Sequence, residues 1–135
     1  MRLLLDTSAY SELHRDHETV IERLRRSSEV AVSPVLLGEL RSRFRAGARQ
    51  AQNEQVLQRF LAKPSVRLLT IDSQTSEHYA ALHADLRSRG VPVPTNDLWL
   101  AASAAQHGLR ILTLDAHFLR FPTLLVEYLG PAPAP

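Results

Sequence analysis

With 135 residues the chain has the size of one domain, long enough to bury about two-thirds of its unfolded surface in a single core. It holds no cysteine, which excludes a disulfide framework and a thiolate zinc site, and no apolar run nears the eighteen or so residues of a membrane span. The formal net charge is only +2, but fifteen of the sixteen basic residues are arginine, whose planar fork suits phosphate and carboxylate partners.

The chain opens with Arg2-Leu3-Leu4-Leu5, a buried-strand pattern too short for a leader peptide, so a cytoplasmic location is expected. It runs into Asp6-Thr7-Ser8, which reads as a helix N-cap. Residues 17–27 place Val20, Ile21 and Leu24 on one face of an amphipathic helix. A second strand over 30–33 leads into Ser33-Pro34, the N-cap and first residue of a helix that carries Glu39 and turns Val35, Leu36, Leu40 and Phe44 inward. A break near Gly47 precedes a helix through Val56, Leu57, Phe60 and Leu61, which Pro64 ends. Residues 66–71 form the third strand candidate, and 73–89 a helix with Gly90 as its C-terminal cap.

Pro92 and Pro94 force an extended loop. Thr95-Asn96-Asp97 offers the next N-cap, and the helix from Leu98 to Ala105 is apolar almost all round, hence buried on most sides, until Gly108 stops it. A fourth strand over 110–114 ends at Asp115, and 124–126 adds a short fifth. Residues 1–129 then form one domain and 130–135 a flexible Pro/Ala tail.

Alternating strands and helices predict an α/β domain with a central, mainly parallel sheet of four to five strands flanked by helices. Ligands of such sheets bind at the carboxyl ends of the strands, where strand order reverses. Asp6 follows the first strand, Asp115 the fourth, Asp97 opens the helix leading to that fourth strand, and Glu39 lies about one turn into the helix after the second. Singly, each acid has a plain structural use: Asp6 and Asp97 as caps, Asp115 in an Asx-turn, Glu39 paired with Arg43.

At one rim, however, unit charges about 5 Å apart repel by roughly 3 kcal/mol at an effective dielectric of about 20, and a divalent cation removes that cost. Hard oxygen donors favour Mg²⁺ or Mn²⁺ over Zn²⁺. Such an ion suits phosphodiester hydrolysis, with Asp6 and Asp97 as the principal ligands and Glu39 and Asp115 completing the site. With those four acids spent on a metal, the remaining surface sets sixteen basic side chains against ten acidic ones, a balance that attracts a polyanion.

The strand-Asp6-Thr7-Ser8 junction, Gly38-Glu39-Leu40, the run Asp97-Leu98-Trp99-Leu100-Ala101-Ala102 and Thr113-Leu114-Asp115-Ala116-His117-Phe118 follow one another over nearly the whole chain. In order and spacing they resemble the successive motifs of PIN-domain ribonucleases, most nearly the VapC-type toxins of toxin–antitoxin pairs. The resemblance implies a three-layer PIN-like fold and an Mg²⁺-dependent endoribonuclease, with Mn²⁺ as a substitute ion. It further implies an RNA substrate, inhibition by a cognate antitoxin, and a homodimer or a hetero-oligomer with that antitoxin. Thr7, Ser8 and Thr113, which stand within the motifs, take supporting roles. Two departures stand out: Val91 to Asn96 replaces a longer acidic or glycine-containing loop, and Trp99 stands where a smaller aliphatic residue is common.

Other acidic α/β sites do not match. A haloacid-dehalogenase phosphatase needs an acid where Ser8 stands, a receiver domain needs a lysine after a late strand whereas Lys63 follows a helix, and no Gly-x-Ser-x-Gly elbow is present. The alternative is a non-catalytic RNA-binding or scaffolding PIN-like domain, expected to have lost acids that this chain keeps. Arg41, Arg43, Arg45 and Arg49 either guide an RNA backbone or form a solvated face. His117 either touches substrate or caps the turn after Asp115, and the turn is the reading adopted. Leu13, Val20 and Leu36 either line a groove for a partner's amphipathic segment or belong to the core.

Overall fold

A computed structural model describes residues 1–133; of the 130–135 tail, residues 134 and 135 lie outside the described part. In chain order the elements are β1 (Arg2–Leu5), α1 (Thr7–Leu13), α2 (Glu18–Arg26), β2 (Glu29–Val32), α3 (Pro34–Ala46), α4 (Gln50–Leu61), β3 (Val66–Leu68), α5 (Ser73–Ser88), α6 (Thr95–His107), β4 (Arg110–Thr113) and β5 (Val126–Tyr128). A 3-10 turn, Ala116–Arg120, separates β4 from β5. The sheet order is β3-β2-β1-β4-β5 with every pair parallel, which is the expected α/β architecture.

The sheet is covered on both faces, so its central strands carry unbroken buried apolar runs, Leu3-Leu4-Leu5, Val30-Ala31-Val32 and Ile111-Leu112, instead of alternating. Leu3, Leu4 and Leu5 are all fully buried. Leu3 and Leu5 pack with Ala9, Leu36, Leu40, Leu57 and Phe60 from α1, α3 and α4, whereas Leu4 turns to Leu98, Ala101 and Phe118 beside α5 and α6. The result is three layers. Each buried leucine contributes about 1.5–3 kcal/mol of transfer free energy. Val20 and Leu36 belong to this core at 0% exposure, so they line no groove.

Three boundaries differ from the sequence reading. The third strand stops at Leu68 instead of 71, because β2 ends at Val32, the partner of Leu68, and beyond the Leu69 N–H bond to the Val32 carbonyl (2.8 Å) nothing remains to pair with. The fifth strand lies at Val126–Tyr128, not 124–126, set by its register against Ile111–Thr113. The cap of α6 is Pro94, which makes no side-chain capping bond; Thr95 and Asn96 are already helical and Asp97 lies in the first turn. Gly108, at φ 63°, closes that helix in the left-handed conformation. Among the described residues no helix is long and apolar enough to cross a membrane.

Candidate metal centre

β1 has β2 on one side and β4 on the other, so the crevice beyond its carboxyl end is the point where the connections diverge. Asp6 leaves β1 there and caps α1: its Oδ1 accepts from the Ala9 N–H at 2.9 Å. The neighbouring strand ties the carboxylate down further. Thr113 Oγ1, at the end of β4, donates to Asp6 Oδ2 at 2.6 Å, and Ser8 Oγ donates to Oδ1 at 2.8 Å. Both hydroxyls also accept backbone N–H groups, Ser8 from Leu114 (3.0 Å) and Thr113 from Asp115 (2.8 Å). Ser8 and Thr113 therefore lock the β1–α1 junction to the turn that carries Asp115.

Asp115 caps the 3-10 turn, its Oδ1 accepting from the His117 N–H at 2.9 Å. The expected turn is thus present, but the His117 ring also reaches the site. Its Nδ1 lies 3.0 Å from Asp97 Oδ2 and 3.2 Å from Asp115 Oδ1, bridging two acids 18 residues apart in the chain. One ligand atom from each of Asp97, Asp115 and His117 falls within 4.8 Å of the others. The loop before Asp97 is fixed from the same turn: Arg120 donates to the Pro92 carbonyl, and Arg89 Nη2 donates to the Arg120 carbonyl at 2.9 Å.

Glu39 projects from α3 toward the same crevice and feels the charges of Asp97 and Asp115. It and Asp6 stand outside the tight Asp97–Asp115–His117 group, joined to it through the field and, for Asp6, through Thr113.

The crevice raises the proton affinity of Asp6, Asp97 and Glu39. Burial, opposed by the bonds from Thr113, Ala9 and Ser8, and assisted by Asp115, pushes Asp6 up to about 6. Asp97 is raised by burial and then by Asp115, against the pull of His117. Glu39 is raised by burial and by Asp97 and Asp115, while Thr7 and Arg43 oppose the rise. Thr7 is buried, and Glu39 is the acid its hydroxyl acts on. Carboxylates crowded until they resist ionisation fit a divalent cation. The donor set is carboxylate oxygen with one imidazole nitrogen, and Asp6, Asp97, Asp115 and Glu39 are the groups able to hold such an ion.

The arginine run divides. Arg41 is engaged by Glu54 of α4 through a two-pronged ion pair (3.0 and 3.1 Å), whereas Arg43 and Arg45 are exposed and Arg43 is near enough to Glu39 to act on it. Sequence reasoning missed the His117 ring, because the residue that completes its setting, Asp97, is remote in the chain. It also missed the Arg89–Arg120–Pro92 tie, for which the sequence carries no local signal.

A model of the PIN domain family matches residues 3–124. The chain is 41% identical over 104 residues to ribonuclease VapC4 of Mycobacterium tuberculosis, covering 73% of this chain and 75% of that protein. Among solved structures it is similar to the DNA-bound VapBC of Salmonella typhimurium (TM-score 0.84, 25% identity, 95% of this chain and 98% of that one). It is also similar to VapBC-5 of Mycobacterium tuberculosis, a member of the VapBC family of toxin-antitoxin systems (TM-score 0.74, 30% identity, 96% and 98%).

Proposed function

Since the chain belongs to the PIN-domain family, we propose that it is a divalent-metal-dependent endoribonuclease, Mg²⁺ being the expected ion, and the toxin of a cytoplasmic toxin–antitoxin pair. The observation that carries this reading is the meeting of Asp97 and Asp115 beside the buried Asp6 at the carboxyl ends of β1 and β4. The names of the relatives support RNA as substrate, and the toxin–antitoxin complexes among the structural neighbours support an antitoxin as partner.

When bound, the ion supplies a Lewis acid that lowers the pKa of water and offsets charge on the phosphodiester. The protein's own part is positioning. Asp6, held by three donors, presents its carboxylate in one orientation. Asp97 and Asp115 supply the charge that retains the cation, and Glu39, whose proton affinity is raised, is suited to orient a water and accept its proton. Arg43 and Arg45 lie on the solvent side of α3, where a phosphate backbone meets them.

The groove lined by Tyr10, Leu40, Phe44 and Val56, with Arg15 and Arg43 at its edge, offers a partner segment an apolar floor and a basic rim. Assembly as a homodimer or with the antitoxin belongs to this proposal, as does the division into a 1–129 domain and a short tail.

The test is cleavage of mixed cellular RNA by antitoxin-free protein with Mg²⁺ or Mn²⁺, with EDTA, and with Asp97→Asn at matched folding. Cutting by metal-loaded wild type alone is expected. Equal behaviour of wild type and Asp97→Asn would leave the non-catalytic RNA-binding alternative.

A further inference from the structure

His117 brings a nitrogen donor to a crevice otherwise made of oxygen. Resting on the metal-centre reading above, we propose that His117 is itself a metal ligand, and that this makes the centre a mixed nitrogen–oxygen site with a preference for Mn²⁺ over Mg²⁺.

The spacing suits that role. Neighbouring ligands of an octahedral ion with bonds of about 2.1 Å stand about 3 Å apart. Nδ1 lies 3.0 Å from the Asp97 oxygen and 3.2 Å from the Asp115 oxygen, and no pair in the group exceeds 4.8 Å. An ion seated among them takes the place of a hydrogen on Nδ1, and the neutral ring then carries its one hydrogen on Nε2.

The backbone that carries the ring is fixed. Its backbone N–H is fixed by Asp115, and the next residue, Phe118, is wholly buried against α6 and β4. Imidazole discriminates among hard cations, because it adds to the affinity for Mn²⁺ and later transition ions far more than to that for Mg²⁺. A ring that only hydrogen-bonds the two carboxylates would steady them for any ion alike.

The experiment uses the full-length, antitoxin-free chain and reads binding, not cleavage. Mn²⁺ and Mg²⁺ affinities are measured by calorimetry for wild type, His117→Ala, His117→Asp and Asp97→Asn, with pulsed EPR of the Mn²⁺ form. Expected are a nitrogen coupling in wild type that vanishes in His117→Ala, a fall of about tenfold in the Mn²⁺:Mg²⁺ affinity ratio in that variant, and in His117→Asp retention of binding with the preference lost. An absent nitrogen coupling in wild type, with both affinities weakened equally by His117→Ala, would overturn the proposal while Asp97→Asn still abolished binding. Mn²⁺ binding unaltered by Asp97→Asn would overturn the metal-centre reading itself.

Discussion

Thr113 Oγ1 and Asp6 Oδ2, 107 residues apart, meet at 2.6 Å in the buried join between β4 and β1. The bond is charge-assisted once Asp6 ionises and weaker while the acid is protonated. Thr113→Val keeps the shape and removes the donor, also freeing the Asp115 N–H that Thr113 caps. A loss of about 2 kcal/mol at pH 7.5 is expected in urea unfolding of the metal-free protein, together with weaker metal binding.

The metal-free protein should be less stable at neutral than at mildly acid pH. Unfolded, Asp6 titrates near 3.8; folded, it titrates at about 6. Between those values the native state holds a proton that the unfolded state has lost. The favourable contribution, complete below 3.8, is therefore lost as pH rises through about 6, and amounts to roughly 3 kcal/mol. Asp97 and Glu39, also raised, act in the same direction. Melting curves from pH 4.5 to 7.5 in EDTA should show a decline that Asp6→Asn flattens and that Mg²⁺ or Mn²⁺ reverses at the upper end.

Asp115→Asn should separate activity from stability. Asparagine still caps the 3-10 turn, while one of the mutually repelling charges disappears. Without metal, a gain of about 1 kcal/mol is expected by thermal melting. RNA cleavage should fall by roughly a hundredfold or more, as several kcal/mol of charge stabilisation goes with the carboxylate.

The two ends of the arginine run should answer differently. Arg41 is committed to Glu54 across α3 and α4, so Arg41→Ala should cost under about 1 kcal/mol of stability and leave KM unchanged. Arg43→Ala should raise KM and lower the slope of log KM against log salt by about 0.7, the signature of one lost contact to single-stranded phosphate. Equal slopes in the two variants would remove Arg43 from the RNA path.

The sequence made the strands, the helices and the four acids legible because each depends on near neighbours. The apolar triplet Leu3-Leu4-Leu5 followed by Asp6 is a buried strand and a cap whatever the rest of the chain does. What escaped depends on distant partners. Leu69 to Ile71 look strand-like until β2 runs out beside Leu68, and Asp97 looks like a cap until Pro94 is seen to hold that position. His117 reads as a turn residue from its neighbours alone; only the packing of α6 against the 3-10 turn brings Asp97 to its ring.

Two of the four acids serve the architecture as well as the crevice: Asp6 caps α1 and Asp115 caps the 3-10 turn. Asp97 caps nothing, and Glu39 lies mid-helix. The centre thus has two cornerstones and two removable stones. A disarmed copy intended as a decoy, still able to occupy an inhibitor without cutting anything, is best made at Asp97 or Glu39, where no helix or turn loses its cap.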